Sequence, residues 1–248
     1  MKSDRVAVDG TPLSDPPPSR VVVVEGIGNA EFLERYALPG RVGLSGGVDM
    51  INKSIRKLQH YLTAEGHRSP FSHAFICNGR RIDGRHWVLE SDLDFRHKQM
   101  RLGVQENRIE RYHDEKTTPN LAILDFGLDD AQTAAVLTEG LDLLAGLSHY
   151  SLRELLGSLL AMRQPNLRRR RNLFESEGGL YCSAMVQHCY AKAGIEFVAG
   201  INHKNVTPHD IFATRHPHTA YVLIREPGRS SLREFVDSLS ELFDSVSA

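Results

Sequence analysis

Three residue types able to carry acyl-transfer chemistry occur along the chain in a fixed order. They are His73 in the apolar run "SHAFI", Glu90 in "HWVLESD", and Cys182 in "GGLYCSAMVQHCYAKAGI" (178–195). A thiolate is a strong nucleophile, an imidazole can take its proton and return it, and a carboxylate can hold the imidazole in the useful tautomer. Cys182 follows Gly178 and Gly179, which allow a sharp turn, and it opens a segment in which Val186, Cys189 and Ala193 keep one side for packing. A cysteine at a helix start lies among unpaired backbone N–H groups at the positive end of the helix dipole. That environment can lower a thiol pKa from about 8.5 into the range of roughly 3.5–7.5. Cys189, two turns deeper on the same side, is expected to be buried and inert, and Cys77 is expected to be core packing on a strand.

The elements that must position these groups follow from periodicity and punctuation. An unpaired imidazole inside an apolar strand is costly, so His73 needs a nearby partner. The apolar stretches 71–77 and 86–91 flank Asn78-Gly79 and Asp83-Gly84, which predicts an antiparallel hairpin. Closing it between residues 78 and 85 pairs His73 directly with Glu90, on one face. A two-residue turn at Asn78-Gly79 would separate them, and Asp92, of the same strand parity, competes with Glu90 as the acid.

Further strands are expected at 21–26, 120–126 and 219–226. Helices are expected at 48–64, at 129–147 with Asp129 and Asp130 at its start, at 150–162 and at 182–193. Another should begin at Thr207-Pro208, and a last one after the capping box of Ser231 and Glu234. Helices with a mainly antiparallel sheet make the fold class α+β. Residues 1–20, with Pro16 to Pro18, read as a flexible lead-in, and residues 229–248 as a C-terminal amphipathic helix capping the core.

Composition limits the partners. With 41% hydrophobic residues, 25% charged residues and a formal net charge of −1, the chain has no global attraction for nucleic acid or an anionic membrane. The three cysteines lack zinc-ribbon spacing, so no metal and no cofactor is expected, and a reducing compartment fits them best. No apolar leader and no run of about 18 apolar residues is present, which predicts no membrane span and a cytoplasmic protein, compatible with export by a specialised secretion system. His203, His209, His216 and His218 read as loop surface. Arg168 to Arg171 read as a solvated loop, with recognition of an anionic substrate as the functional alternative.

In order and local context, "SHAFI", "VLES", "GLYCSAMVQHCYAKAGI" and "TPHDI" resemble the circularly permuted papain-like hydrolases of the NlpC superfamily, in particular the YiiX-like branch. The likeness spans roughly residues 40–226. It implies a permuted papain-like hydrolase domain over 21–228, in which histidine and glutamate precede the cysteine. It implies Cys182 as nucleophile, His73 as base and Glu90 as the orienting acid of a Cys-His-Glu triad working through a thioester. Tyr181, Ser183 and Tyr150 would line the substrate site, and the backbone N–H of Cys182 would face the developing oxyanion. The expected substrate carries an amide bond in a peptide, a peptidoglycan stem or an isopeptide. A lipid or ester acyl hydrolase or acyltransferase is the alternative within the same chemistry, and an inactive binding module the alternative outside it. The family's Gly-Asp near the domain start is absent from "RVGLSGGVDMINKSI", and the arginine run is no part of its pattern. Oligomeric state is not legible.

Overall fold

Short β-branched and apolar runs build a single seven-stranded sheet in a computed structural model that describes residues 19–47, 69–94, 101–146 and 181–225. The helices expected at 48–64, 150–162 and beyond Ser231, together with Tyr150 and Arg168 to Arg171, lie outside the described residues. The strands are β1 (Arg20–Val23), β2 (Val42–Gly46), β3 (His73–Arg80), β4 (His86–Asp94), β5 (Arg101–Arg108), β6 (Asn120–Asp125) and β7 (Thr219–Ile224). Their spatial order is β1-β7-β6-β2-β3-β4-β5. Only β1 and β7 run parallel; every other neighbouring pair is antiparallel. With the helices α1 (Asn29–Tyr36), α2 (Asp130–Ala145), α3 (Cys182–Ala191) and α4 (Pro208–Phe212), the class is α+β.

Local chemistry explains the helix starts. Asp129 accepts a hydrogen bond from the Gln132 amide while the Gln132 side chain accepts one from the Asp129 amide, a reciprocal cap that opens α2. Thr207 and Asp210 make the same exchange at α4, with Pro208 in the first turn. Cys182 is the first residue of α3, as its flanking glycines suggested, although the preceding Tyr181 supplies no side-chain cap.

Strand alternation sorts the interior into two cores, one on each face of the sheet. Ala74, Ile76, Leu89, Ala122 and Leu124 point to one face, where Met185, Val186, Cys189 and Tyr190 of α3 cover them. Phe75, Cys77, Val88, Leu121 and Ile123 point to the other, beneath Phe32 and Leu33 of α1 and Tyr112 of a short turn after β5.

Three elements were not legible in the sequence. Helix α1 is only eight residues long. Strand β5, "RLGVQENR", is mostly polar. Strand β2, "VGLSG", carries glycines that lower strand propensity yet are required by packing. A Cβ at Gly43 would lie 2.0 Å from the Phe75 ring, and one at Gly46 would lie 2.0 Å from the Pro70 carbonyl oxygen.

The hairpin forms, but in a different register from the one expected. Phe75, not His73, lies opposite Glu90. The strands continue to Arg80 and His86, a bulge falls between Cys77 and Gly79, and the Arg81 amide donates to the Arg85 carbonyl at 3.0 Å across the turn. This is a displacement of two residues. Because side chains alternate with period two, it leaves His73 and Glu90 on the same face as diagonal neighbours.

Candidate active site

Glu90 is fully buried in the middle of β4, and its carboxylate is met by four donors. His73 Nε2 lies 2.7 Å from Oε2, and the Tyr112 hydroxyl donates to the same oxygen. Asn107 Nδ2 donates to Oε1 at 2.8 Å, and the Arg111 guanidinium donates there as well. Burial pushes the acid toward its neutral form. The hydrogen bond with His73, the Arg111 charge and the Tyr112 hydroxyl outweigh that, and the pKa settles at about 2. An ionised carboxylate only accepts, so the imidazole proton toward it sits on Nε2 and the lone pair of the neutral ring sits on Nδ1. The arrangement is that of a histidine held in one tautomer by a permanent anion.

Packing fixes the ring further. Tyr112 stacks on Phe75 at 4.6 Å between centroids and lies 6.4 Å from the His73 ring at an interplanar angle of 28°. The imidazole keeps 14% of its side-chain surface open to solvent. Ser45 of β2 is paired directly with His73 across the strands, so its hydroxyl shares the same face.

Cys182 is partly exposed at the head of α3, and side-chain bonds anchor that helix at both ends. At its far end the Tyr190 hydroxyl donates to the Gly40 carbonyl, while the Gly40 amide donates to the Cys77 carbonyl at 2.8 Å. At its near end Tyr181 Oη and Ser183 Oγ both donate to the Val206 carbonyl, at 2.9 and 2.7 Å. The segment after Val206 continues into α4, where Phe212 meets Phe71 edge-on at 4.9 Å.

The faces differ. His73 and Glu90 occupy the α1 face, as their parity with Phe75 and Val88 requires, whereas α3 covers the opposite face. The structure therefore brings His73 and Glu90 into contact and places Cys182 at the head of the helix that covers the other face of the sheet. Among the described residues no hydrogen bond joins the thiol to the imidazole or the carboxylate.

Of the residues expected to line a substrate site, Ser183 is fully buried and Tyr181 nearly so, and their hydroxyls pin the loop at Val206. Asp92, the competing acid, lies on β4 opposite Gly103, two residues beyond Glu90. Asn107, Arg111, Tyr112 and Ser45 were not singled out from the sequence. Only the pairing of β2 and β5 with the hairpin, and the turn after β5, makes them visible. Cys77 and Cys189 are buried, and burial raises each thiol to about 12. Of the four histidines read as loop surface, His209 and His218 are buried. His218 stacks on Phe126 at 5.1 Å, and burial lowers its pKa. Among the described residues no group of three or more His, Cys, Asp or Glu side chains is arranged to hold a metal ion, and no helix is long and apolar enough to cross a membrane.

No family model matches the chain, and no curated protein matches it. Among solved structures it is similar to the metalloprotein YiiX from Escherichia coli O157:H7, at 14% identity and a TM-score of 0.47, over 76% of this chain and 97% of that one.

Proposed function

We propose that this chain is a cysteine-dependent hydrolase of the permuted papain-like type that cleaves amide bonds, with Cys182 as nucleophile, His73 as base and Glu90 as the residue that orients the imidazole. The observation that carries the reading is the His73–Glu90 couple, in which a buried carboxylate held ionised by three further donors fixes the ring of the first residue of β3. A carboxylate bound by four donors has no titration of its own near neutral pH. Its chemical use is to hold one tautomer and to stabilise an imidazolium.

The reaction then runs as two acyl transfers. The Cys182 thiol gives its proton to Nδ1 of His73 and the sulfur attacks the substrate carbonyl carbon. The tetrahedral oxyanion forms near the backbone N–H of Cys182, and the imidazolium returns the proton to the departing amine. Water, deprotonated by His73, then attacks the thioester, releases the carboxylic acid and restores the thiol. Glu90 remains ionised throughout.

The test follows from the separation of the two faces. The reading requires thiol and imidazole to communicate around the first residue of β3. Iodoacetamide alkylation of Cys182 is measured from pH 4 to 9 in the wild type and in His73→Ala. The wild type is expected to react at acidic pH, and the variant to react there at least about tenfold more slowly, as an ordinary thiol does. Identical profiles overturn the reading, as does a Cys182→Ala variant that retains amide hydrolysis.

A second reading is favoured by the placement of α3 and His73 on opposite faces. In it the chain is a non-catalytic binding domain and His73–Glu90 is a buried ion pair that holds the α1 face together. Superposing alkylation profiles would select it.

A further inference from the structure

Strand β2 presents Ser45 on the α1 face. Its register pairs Ser45 with His73 of β3 on one side and with Leu121 of β6 on the other. Directly opposed residues share a face with Cβ atoms about 4.5–5.5 Å apart, so a leucine, a hydroxyl and an imidazole form one row. Ser45 is 5% exposed, and among the described residues no hydrogen bond engages its hydroxyl. Other buried serines behave differently. Ser69, Ser72 and Ser183 each donate the hydroxyl to a backbone carbonyl, those of Phe71, Ser45 and Val206. A buried hydroxyl without an internal partner is destabilising unless a group from outside the chain completes it.

The position adjoins the candidate base. His73 Nε2 is committed to Glu90 of β4, on the far side of β3 from Ser45, and the two nitrogens of an imidazole diverge, so Nδ1 is turned away from β4. The preceding same-face position on β2 is Gly43. The Phe75 ring overlies it, since a Cβ there would lie 2.0 Å from that ring, and this closes one side of the space beside Ser45. A hydroxyl both donates and accepts, so a small molecule seated there meets an acceptor in Ser45 and a proton acceptor in the neutral imidazole.

We infer that Ser45 holds the water that hydrolyses the acyl-enzyme. This rests on the hydrolase reading and supplies a residue for its second step. One O–H of the water is donated to Nδ1 of His73 and the other to Ser45 Oγ, which leaves an oxygen lone pair for the thioester carbonyl carbon. The C–O bond forms as Nδ1 takes the proton, the C–S bond then breaks, and the imidazolium returns that proton to the sulfur. The probe is p-nitrophenyl acetate on full-length wild type and Ser45→Ala near neutral pH, with the acetyl group on Cys182 followed by peptide mass spectrometry. Both proteins are expected to form the Cys182 thioester at the same rate, and Ser45→Ala to lose it to water at least about tenfold more slowly. Hydroxylamine, which attacks the thioester without a held water, should release the acetyl group from both at one rate. A merely structural role would slow acylation and hydroxylamine release as well. Equal loss to water in the two proteins overturns the inference, as does an equal slowing of all three steps in Ser45→Ala. Failure of the hydrolase reading looks different: no Cys182 thioester forms in the wild type, which overturns that reading and this inference together.

Discussion

The two faces of the sheet solve different problems. Under α3 an apolar core is built from alternate residues of β2, β3, β4, β6 and β7. Under α1 the same strands carry their other parity, and there a buried carboxylate, an imidazole, a guanidinium, a carboxamide and a phenol form one satisfied network among Phe75, Val88 and Ile123. An apolar core tolerates small losses, since each contact is weak and redundant. A buried charge network does not, because removing one member leaves another desolvated and unpaired. The candidate base thus belongs to the face where geometry is most tightly held, and the candidate nucleophile to a helix end bordering the forgiving one.

The largest expected contrast separates the three cysteines. Cys77 and Cys189 are buried with thiols raised to about 12, whereas Cys182 is partly exposed. At pH 8 a thiol with pKa near 12 is about 10⁻⁴ thiolate. Iodoacetamide under native conditions, followed by peptide mapping, is therefore expected to modify Cys182 alone among them, with the other two reacting only after denaturation. Native labelling of Cys189 would mean that the α3 face is open.

Next in size is the charged face itself. Glu90→Ala should cost about 3–5 kcal/mol in urea unfolding, since it removes the buried carboxylate on which His73, Asn107, Arg111 and Tyr112 converge. The linkage is directional. The folded pKa of Glu90, about 2, lies below the ordinary carboxyl value near 4.5, so its contribution to stability is present above pH 4.5 and is lost as pH falls toward 2. Glu90→Gln is expected to flatten that acid limb while lowering stability at neutral pH. An unchanged limb would show that other carboxylates control acid unfolding.

A backbone test is smaller. Gly46→Ala places a methyl group 2.0 Å from the Pro70 carbonyl oxygen, and β2 must shift to relieve it. The expected loss is about 1–3 kcal/mol, read as a lower thermal midpoint. Smallest of all is the exposed pair Glu31–Arg35 on α1, one turn apart. Arg35→Ala should change stability by no more than about 0.5 kcal/mol. A larger effect would mean that α1 is held by its surface and not by Phe32 and Leu33.

Much of the local structure was legible because its causes are local. Asp129 and Gln132 cap α2 by a bond between neighbours, Thr207, Pro208 and Asp210 open α4 in the same way, and Cys182 begins α3. The hairpin was legible in kind but not in register. The bulge near Gly79 lies against Pro39, and the Cys77 amide beside it donates to the Arg41 carbonyl, contacts that come from elsewhere in the chain. Period-two alternation protected the chemical reading from this error, since a shift of two keeps His73 and Glu90 on one face.

The sequence by itself determined that a histidine and a glutamate would share a face of adjacent strands and that a cysteine would head a helix, because strand parity and helix capping are written within a few residues. Only the tertiary structure decided the surroundings. Asn107, Arg111 and Tyr112 converge on Glu90 through the pairing of β4 with β5, and α3 settles on the face opposite the imidazole. Which face a helix covers depends on how the apolar surfaces of distant segments fit together. No short stretch of sequence contains that information.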